Sequence, residues 1–244
     1  MEFNYKNMLI MAEQKKEFRV KTEVVDGIEI DIFSYVVSLS DTFDIPLSRE
    51  FRGTCFLKDG TCISRPFPKF FNIYERPDTH HDQIDWKHAQ FFTKHDGSMA
   101  IPVNINGKIF WRTKNSFYSD VAINIQKYYD SGESTGLESD RDFPIMTKHF
   151  TPIFEYVGPG NRIVLPYEKE ELLYLGFRHN DTGIFHPCGQ NEVKNISYED
   201  IYGMQDVEGF VIYDGKQLVK AKTKWYLERH KIVSDFNPKN IIQA

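Results

Sequence analysis

Three turn dipeptides constrain this chain more than anything else in it. Asp59-Gly60, Asn106-Gly107 and Asp214-Gly215 each stand between two short runs rich in β-branched and aromatic residues. Asn-Gly and Asp-Gly in that setting predict a β-hairpin, because both central residues of the tight turn need a backbone region that Gly and Asn tolerate. Asp26-Gly27 breaks Val20 to Val37 in the same way. Strands are also expected over 150–157 and 171–178, and helices over residues 1–18, over 119–129 behind a Ser119 cap, over 197–202 behind a Ser197/Asp200 capping box, and briefly after about residue 230. The fold class read from this is α+β: antiparallel sheets with flanking helices.

With 244 residues the chain has room for one large domain or two small ones, and 20 Phe and 13 Tyr predict an aromatic core. A formal charge of −5 argues against a general nucleic-acid coat, so any such partner must meet a local basic patch. Cys55, Cys62 and Cys188 are odd in number and form no Cys-x-x-Cys pair, which points to a reducing setting. The apolar run Met8 to Ala12 is too short to span a membrane and lacks the order of a signal peptide, so a soluble, cytoplasmic protein with no membrane partner is expected. Residues 130–142, rich in Ser, Gly, Glu and Asp, read as an exposed mobile loop.

The hairpins carry charge. The first returns Arg65 to Asn72 alongside Arg52-Gly53, and so sets Lys69 near Arg52. The second is expected to bring Arg112 and Lys114 beside the strand that ends at Lys94. The third bears Glu208 on one strand and Lys220 and Lys222 on the other, and the two lysines, spaced by two, point to one face. A two-residue turn at Asp214-Gly215 would aim Glu208 away from them; a three-residue bulged turn, Asp214-Gly215-Lys216, would bring all three together, and is the turn expected. His80, His81, His88 and His95 lack clear metal-ligand spacing.

Lys94-x-Asp96-Gly97 resembles the nucleotidyl-acceptor motif of the covalent nucleotidyltransferases, and the order of the pieces resembles the phage RNA ligase 1 family over roughly residues 49–231. The resemblance rests on Arg52-Gly53, Ser64-Arg65-Pro66 through Lys69-Phe70-Phe71-Asn72, Lys94-x-Asp96-Gly97-Ser98, Phe154-Glu155-Tyr156-Val157, Asn161 to Leu165, Glu208-Gly209-Phe210-Val211, and Lys220-Ala221-Lys222 with Trp225-Tyr226. It implies a ligase-type nucleotidyltransferase fold with the nucleotide held between its sheets. It further implies an ATP-dependent RNA ligase that joins a 3′-hydroxyl to a 5′-phosphate through lysyl-AMP and RNA-adenylate intermediates, with Mg²⁺, or Mn²⁺ in its place, as cofactor.

By the same resemblance Lys94 is the nucleophile, helped by Lys220 and Lys222, which also serve the α-phosphate. Arg52 and Lys69 grip the outer phosphates, with Phe71 and Tyr226 packing nearby. Gly97 lets the backbone approach the nucleotide, and Lys114 supports a nucleotide or RNA phosphate. Glu155 accepts from the ribose hydroxyl and joins Glu208 as a candidate metal ligand. The expected partners are ATP and RNA ends, single-stranded or of a nicked tRNA, in a host cytoplasm, with no obligate protein partner. By the resemblance, residues 1–230 are expected to form the adenylyltransferase domain and 231–244 a tail without the family's C-terminal domain, either as a catalytic domain cut from a longer chain or as a minimal ligase. Two alternatives are a DNA ligase or GTP-using capping enzyme, and an RNA-end binding module without turnover.

Overall fold

The structure, a computed structural model, describes residues 1–133 and 147–235. After helix α1 (Tyr5–Gln14), capped by the Asn4 side chain on the Asn7 N–H, come β1 (Phe18–Val25), β2 (Ile28–Tyr35), β3 (Arg52–Leu57) and β4 (Cys62–Ser64). Short strands β5 (Phe71–Asn72) and β6 (Gln90–Thr93) precede the hairpin of β7 (Ser98–Ile105) and β8 (Lys108–Arg112). Helix α2 (Asp120–Asp130), β9 (Phe150–Val157), β10 (Glu171–His179), β11 (Phe185–Pro187) and β12 (Glu192–Val193) follow. Helix α3 (Tyr198–Ile201), β13 (Gly209–Tyr213), β14 (Leu218–Lys222) and helix α4 (Lys224–Asp235) complete the series. The architecture is α+β, as expected: β1 with β2, β7 with β8, β7 with β9 and β13 with β14 pair antiparallel, while β14 and β5 run parallel.

These elements gather into two compact units, each assembled from three stretches of chain. Unit 1 takes Met1–Lys69, Ser98–Tyr156 and Glu171–Cys188; unit 2 takes Phe70–Gly97, Val157–Glu170 and the chain from Gly189 onward.

Unit 1 holds two sheets, ordered β1-β2-β3-β4 and β11-β10-β9-β7-β8. Asp26-Gly27 and Asn106-Gly107 form two-residue turns with positive φ at both positions, the geometry the dipeptides predict. Ile30, Ile32 and Cys55 pack with Ile101, Val103 and Ile105 in one core. Each fully buried aliphatic side chain there contributes about 1.5–3 kcal/mol. Buried beside it is an ion cluster. Glu50 accepts a two-pronged contact from Arg178 at 2.7 and 2.7 Å and a second from Arg65 at 2.8 and 3.3 Å. Burial pushes the Glu50 carboxyl up, but the two guanidiniums outweigh it and hold it below the usual range.

Unit 2 is built on one five-stranded sheet, ordered β12-β6-β13-β14-β5. Phe210, Ile212, Val219 and Ala221 turn one way, into a core that includes Ile73, Ile84 and Ile201. Strand alternation sends Val211, Lys220 and Lys222 the other way, because Val211 pairs with Lys220 and Gly209 with Lys222. Among the described residues no helix is long and apolar enough to cross a membrane.

Three expectations are corrected. The third hairpin closes with a four-residue loop, Asp214 to Gln217, in place of a three-residue bulged turn. The Asp214 side chain dictates this by accepting from the Lys216 and Gln217 backbone N–H groups at 2.9 and 2.8 Å, an Asx turn. Strand β8 pairs with β7 in unit 1, whereas Lys94 follows β6 in the sheet of unit 2, so the second hairpin pairs neither Arg112 nor Lys114 with the Lys94 strand. Arg112 is instead fully buried, its Nη2 donating to Gly53 O and Ser64 Oγ at 2.6 and 2.7 Å. Finally, the last helix starts at Lys224 and not after residue 230. Thr223 sets that start, its Oγ1 accepting from the Tyr226 N–H at 3.1 Å. The loop expected over 130–142 lies outside the described residues from 134 on, and the expected tail from 236 on.

Candidate active site

Lys94, Glu208 and Lys222 meet in unit 2. One carboxylate oxygen, Glu208 Oε1, lies 2.9 Å from Lys94 Nζ and 2.9 Å from Lys222 Nζ. The Glu208 side chain is 3% exposed, against 23% for Lys94 and 21% for Lys222. A buried anion thus sits between two ammonium groups that both reach solvent.

With the hairpin as it is, simple alternation would point Glu208 to the face of Phe210 and Ala221. Gly209 defeats the alternation. Its φ is +151°, and a Cβ there would lie 2.0 Å from Ala221 O, so only glycine fits. The Lys94 N–H donates to Gly209 O at 2.9 Å, which fixes the Lys94 backbone to this bend. The expected convergence is therefore present, produced by Gly209 and not by the turn.

Asp96 of the Lys-x-Asp-Gly motif is buried. Its Oδ2 accepts from the Val164 and Leu165 backbone N–H groups at 2.7 Å each, and its Oδ1 from the Tyr226 hydroxyl at 2.7 Å. Its own N–H donates to the Tyr167 hydroxyl at 3.1 Å. Asp96 thus ties the lysine loop to the 164–167 segment and to α4. Burial pushes the Tyr226 phenol up, and the bond to Asp96 pushes further, so it stays a hydroxyl donor. Lys222 Nζ lies 4.8 Å from the Tyr226 ring centroid, and Lys220 Nζ 5.6 Å from that of Phe70. Phe71 pairs with Val219, whose side chain belongs to the core face, and Arg76 lies over its ring at 5.2 Å. Phe70, and not Phe71, thus stands beside Lys220 on the face that carries Lys222. Gly97 is partly buried after Asp96.

The other predicted cations belong to unit 1, where they surround a tyrosine that the sequence did not single out. Lys114 Nζ stands 4.3 Å, and Lys69 Nζ 5.4 Å, from the Tyr35 ring centroid. Burial alone would raise the Tyr35 phenol, but Lys114, Lys69 and Arg52 together lower it. Burial also lowers Lys114 and Arg52; Tyr35 opposes this at both, and Glu155 at Arg52. Cations crowded about a phenol make a place that favours an anion. Gly53 permits the crowding: at φ +97° a Cβ would lie 2.5 Å from Lys114 O. Glu155 is on β9, paired with Met99.

Sequence reasoning passed over Tyr35, Phe70, Asp96 as an anchor, and Tyr167. Asp96 stood inside the motif, and its burial is the part a motif does not carry. The only signal for Tyr35 was an aromatic at a strand end.

Comparison with known proteins identifies the family. A family model described as RNA ligase matches residues 50–199. A Thermovibrio ammonificans protein provisionally named an RNA ligase is 32% identical over 256 residues, which cover 94% of this chain and 64% of that protein. RNA ligase 1 of bacteriophage TS2126 is 25% identical, over 93% of this chain and 62% of its own. The chain thus spans less than two thirds of the length of these relatives. Among solved structures, an archaeal ATP-dependent RNA ligase superposes with a TM-score of 0.60 at 13% identity, over 98% of this chain and 68% of that one. The fold is that of the ligase-type nucleotidyltransferases, and the chain belongs to the phage RNA ligase 1 family.

Proposed function

We propose that the protein is an ATP-dependent RNA ligase that becomes adenylylated on Lys94. The observation that carries this reading is the Lys94–Glu208–Lys222 cluster, set on one sheet face with Lys220. Lys94 Nζ attacks the α-phosphorus; the new N–P bond forms as the P–O bond to pyrophosphate breaks. Lys220 and Lys222 stabilise charge on the α-phosphate oxygens, where electrostatic preorganisation counts most. Glu208 Oε1, already in contact with Lys94 Nζ, is the acceptor within reach for the proton the amine sheds. Within unit 1, the cations Arg52, Lys69 and Lys114 crowded about Tyr35 are the residues this reading assigns to phosphates, and Glu155 the one it assigns to the ribose. AMP then passes to the RNA 5′-phosphate, and the 3′-hydroxyl displaces it to leave a phosphodiester. RNA ends, including those of a cleaved tRNA in a host cytoplasm, are the substrates this reading assigns.

The donor set fits a hard divalent cation. Among the described residues no three His, Cys, Asp or Glu side chains stand together as a ligand cluster. A single carboxylate such as Glu208 suits Mg²⁺, which keeps most of its waters and takes the rest of its shell from substrate phosphates. Such an ion would neutralise charge on those phosphates.

The test is incubation with α-labelled ATP or GTP and Mg²⁺, followed by denaturation, with Lys94→Ala beside the parent chain. The expected result is label from ATP alone, lost in the variant. Label from GTP alone would favour a capping enzyme. A ligase of DNA shares the fold, so 5′-phosphorylated RNA and DNA should be offered in parallel, and RNA is expected to be joined in preference.

A further inference from the structure

A pocket of about 660 Å³ opens beside Lys94 in unit 2, and most of its lining has no part in the chemistry above. Lys94 and Glu208 stand at its border, while Arg162, Tyr167, Trp225 and Arg229 form its charged and aromatic part. Lys220, Lys222 and Val211, which share the sheet face of Lys94, do not line it. A nucleotide whose α-phosphate rests on Lys220 and Lys222 therefore meets this pocket at Lys94 and Glu208 and leaves the remainder for another ligand.

The chemistry of the lining says which. Trp225 and Arg229 stand one turn apart on α4, and the guanidinium carbon lies 3.9 Å over the indole centroid. Arg229 Nη1 donates to Trp225 O at 3.4 Å, and Arg162 Nε to Val164 O at 3.3 Å. Among the described residues neither guanidinium has a carboxylate partner, and both are exposed. The lining carries Lys94, Arg162 and Arg229 against Asp206 and Glu208, and Glu208 is already shared by two lysines. In a chain of net charge −5 this is a local cationic surface with an aromatic floor. Exposed guanidiniums take phosphates with good geometry. An indole with a cation stacked on it is a platform for any base that offers an open face. Bases within a duplex offer none, so the ligand is single-stranded.

We propose that this pocket seats the unpaired end of the RNA, with a base stacked against Trp225 and its phosphates on Arg162 and Arg229, so that the end arrives beside Lys94. The proposal rests on the ligase reading and names the subsite that reading lacks. Trp225, Arg162 and Arg229 are then RNA-positioning residues with no part in forming lysyl-AMP.

The experiment measures two quantities on the full chain and its variants: self-labelling with α-labelled ATP, and affinity for a 5′-phosphorylated single-stranded oligoribonucleotide over a salt series. Trp225→Ala should weaken RNA binding by about tenfold, within the range seen for loss of one base–aromatic stack, and leave self-labelling within about twofold. Trp225→Phe should restore most of the affinity. Arg162→Ala and Arg229→Ala should each flatten the dependence of log affinity on log salt by about 0.7, the single-strand value for one phosphate contact. These two exposed positions keep the test valid if Trp225→Ala fails to fold. RNA affinity and salt slope unchanged in all the variants would overturn the proposal. Self-labelling lost from Trp225→Phe and both arginine variants alike would also overturn it, by giving the pocket to ATP. A parent chain that takes no label would sink the ligase reading, while RNA affinity lost in Trp225→Ala would still support the pocket.

Discussion

Two buried carboxylates, one in each unit, are each held by two cations, and they are built for opposite ends. Glu50 in unit 1 is gripped by Arg65 and Arg178, whose side chains are only 6% and 7% exposed. Four charge-assisted contacts from two planar forks use both carboxylate oxygens and leave it one orientation. Glu208 in unit 2 is touched by two lysines through one oxygen, and each lysine is more than a fifth exposed. An ammonium on a flexible stem that reaches water can leave its partner at small cost; a buried guanidinium cannot. The first arrangement fixes the fold. The second holds the lysine proposed as nucleophile and can release it.

Breaking the two anions separately should show the largest contrast. Glu50→Ala strands two buried guanidiniums and should destabilise the protein by about 3–5 kcal/mol in denaturant unfolding. Glu208→Ala leaves two lysines that hydrate, and should cost about 1 kcal/mol or less, yet abolish self-labelling. Equal losses of stability in the two variants would contradict the contrast.

Gly209→Ala sharpens the comparison, since Glu208 depends on the bend at Gly209 for its aim. The added methyl meets Ala221 O, so a strain of about 1–3 kcal/mol is expected. The displaced carboxylate should slow self-labelling on the order of 10²-fold, the usual cost of misplacing a reacting group by an ångström. Urea melts and single-turnover labelling read the two effects, and normal labelling would show that Glu208 needs no such aim.

The smallest effect is a pH dependence that belongs to Glu50. Its carboxyl is lowered on folding, so its contribution is present above the unfolded value, about 4.3, and fades as pH falls through the lower folded value. Thermal melts from about pH 5 downward should fall less steeply in Glu50→Gln, which starts from a lower stability. An acid limb as steep as the parent's would remove Glu50 as its source.

Much of this was legible in the sequence, because hairpin turns are local. Asp26-Gly27 and Asn106-Gly107 close as their dipeptides demand. The Asp214 turn misled because its side chain, and not Gly215 alone, sets the loop length. Lys94, Glu208 and Lys222 converge as the motif order implies, but through a glycine φ that no residue count reveals. Arg112 departs from its expected place because adjacency in sequence is not adjacency in a sheet: β6 and β7 belong to different sheets. Tyr35, Asp96 and the Trp225 pocket depend on burial and on partners distant in the chain, which residue spacing does not encode.

Lys94, held by Glu208, is the residue proposed to take AMP. Peptide mapping by mass spectrometry after incubation with ATP and Mg²⁺ tests it most directly, with Glu208→Gln run beside the parent chain. An AMP adduct is expected on the peptide containing Lys94 in the parent, and its loss in Glu208→Gln. An adduct on Lys220 or Lys222, or one on Lys94 undiminished in Glu208→Gln, would contradict it.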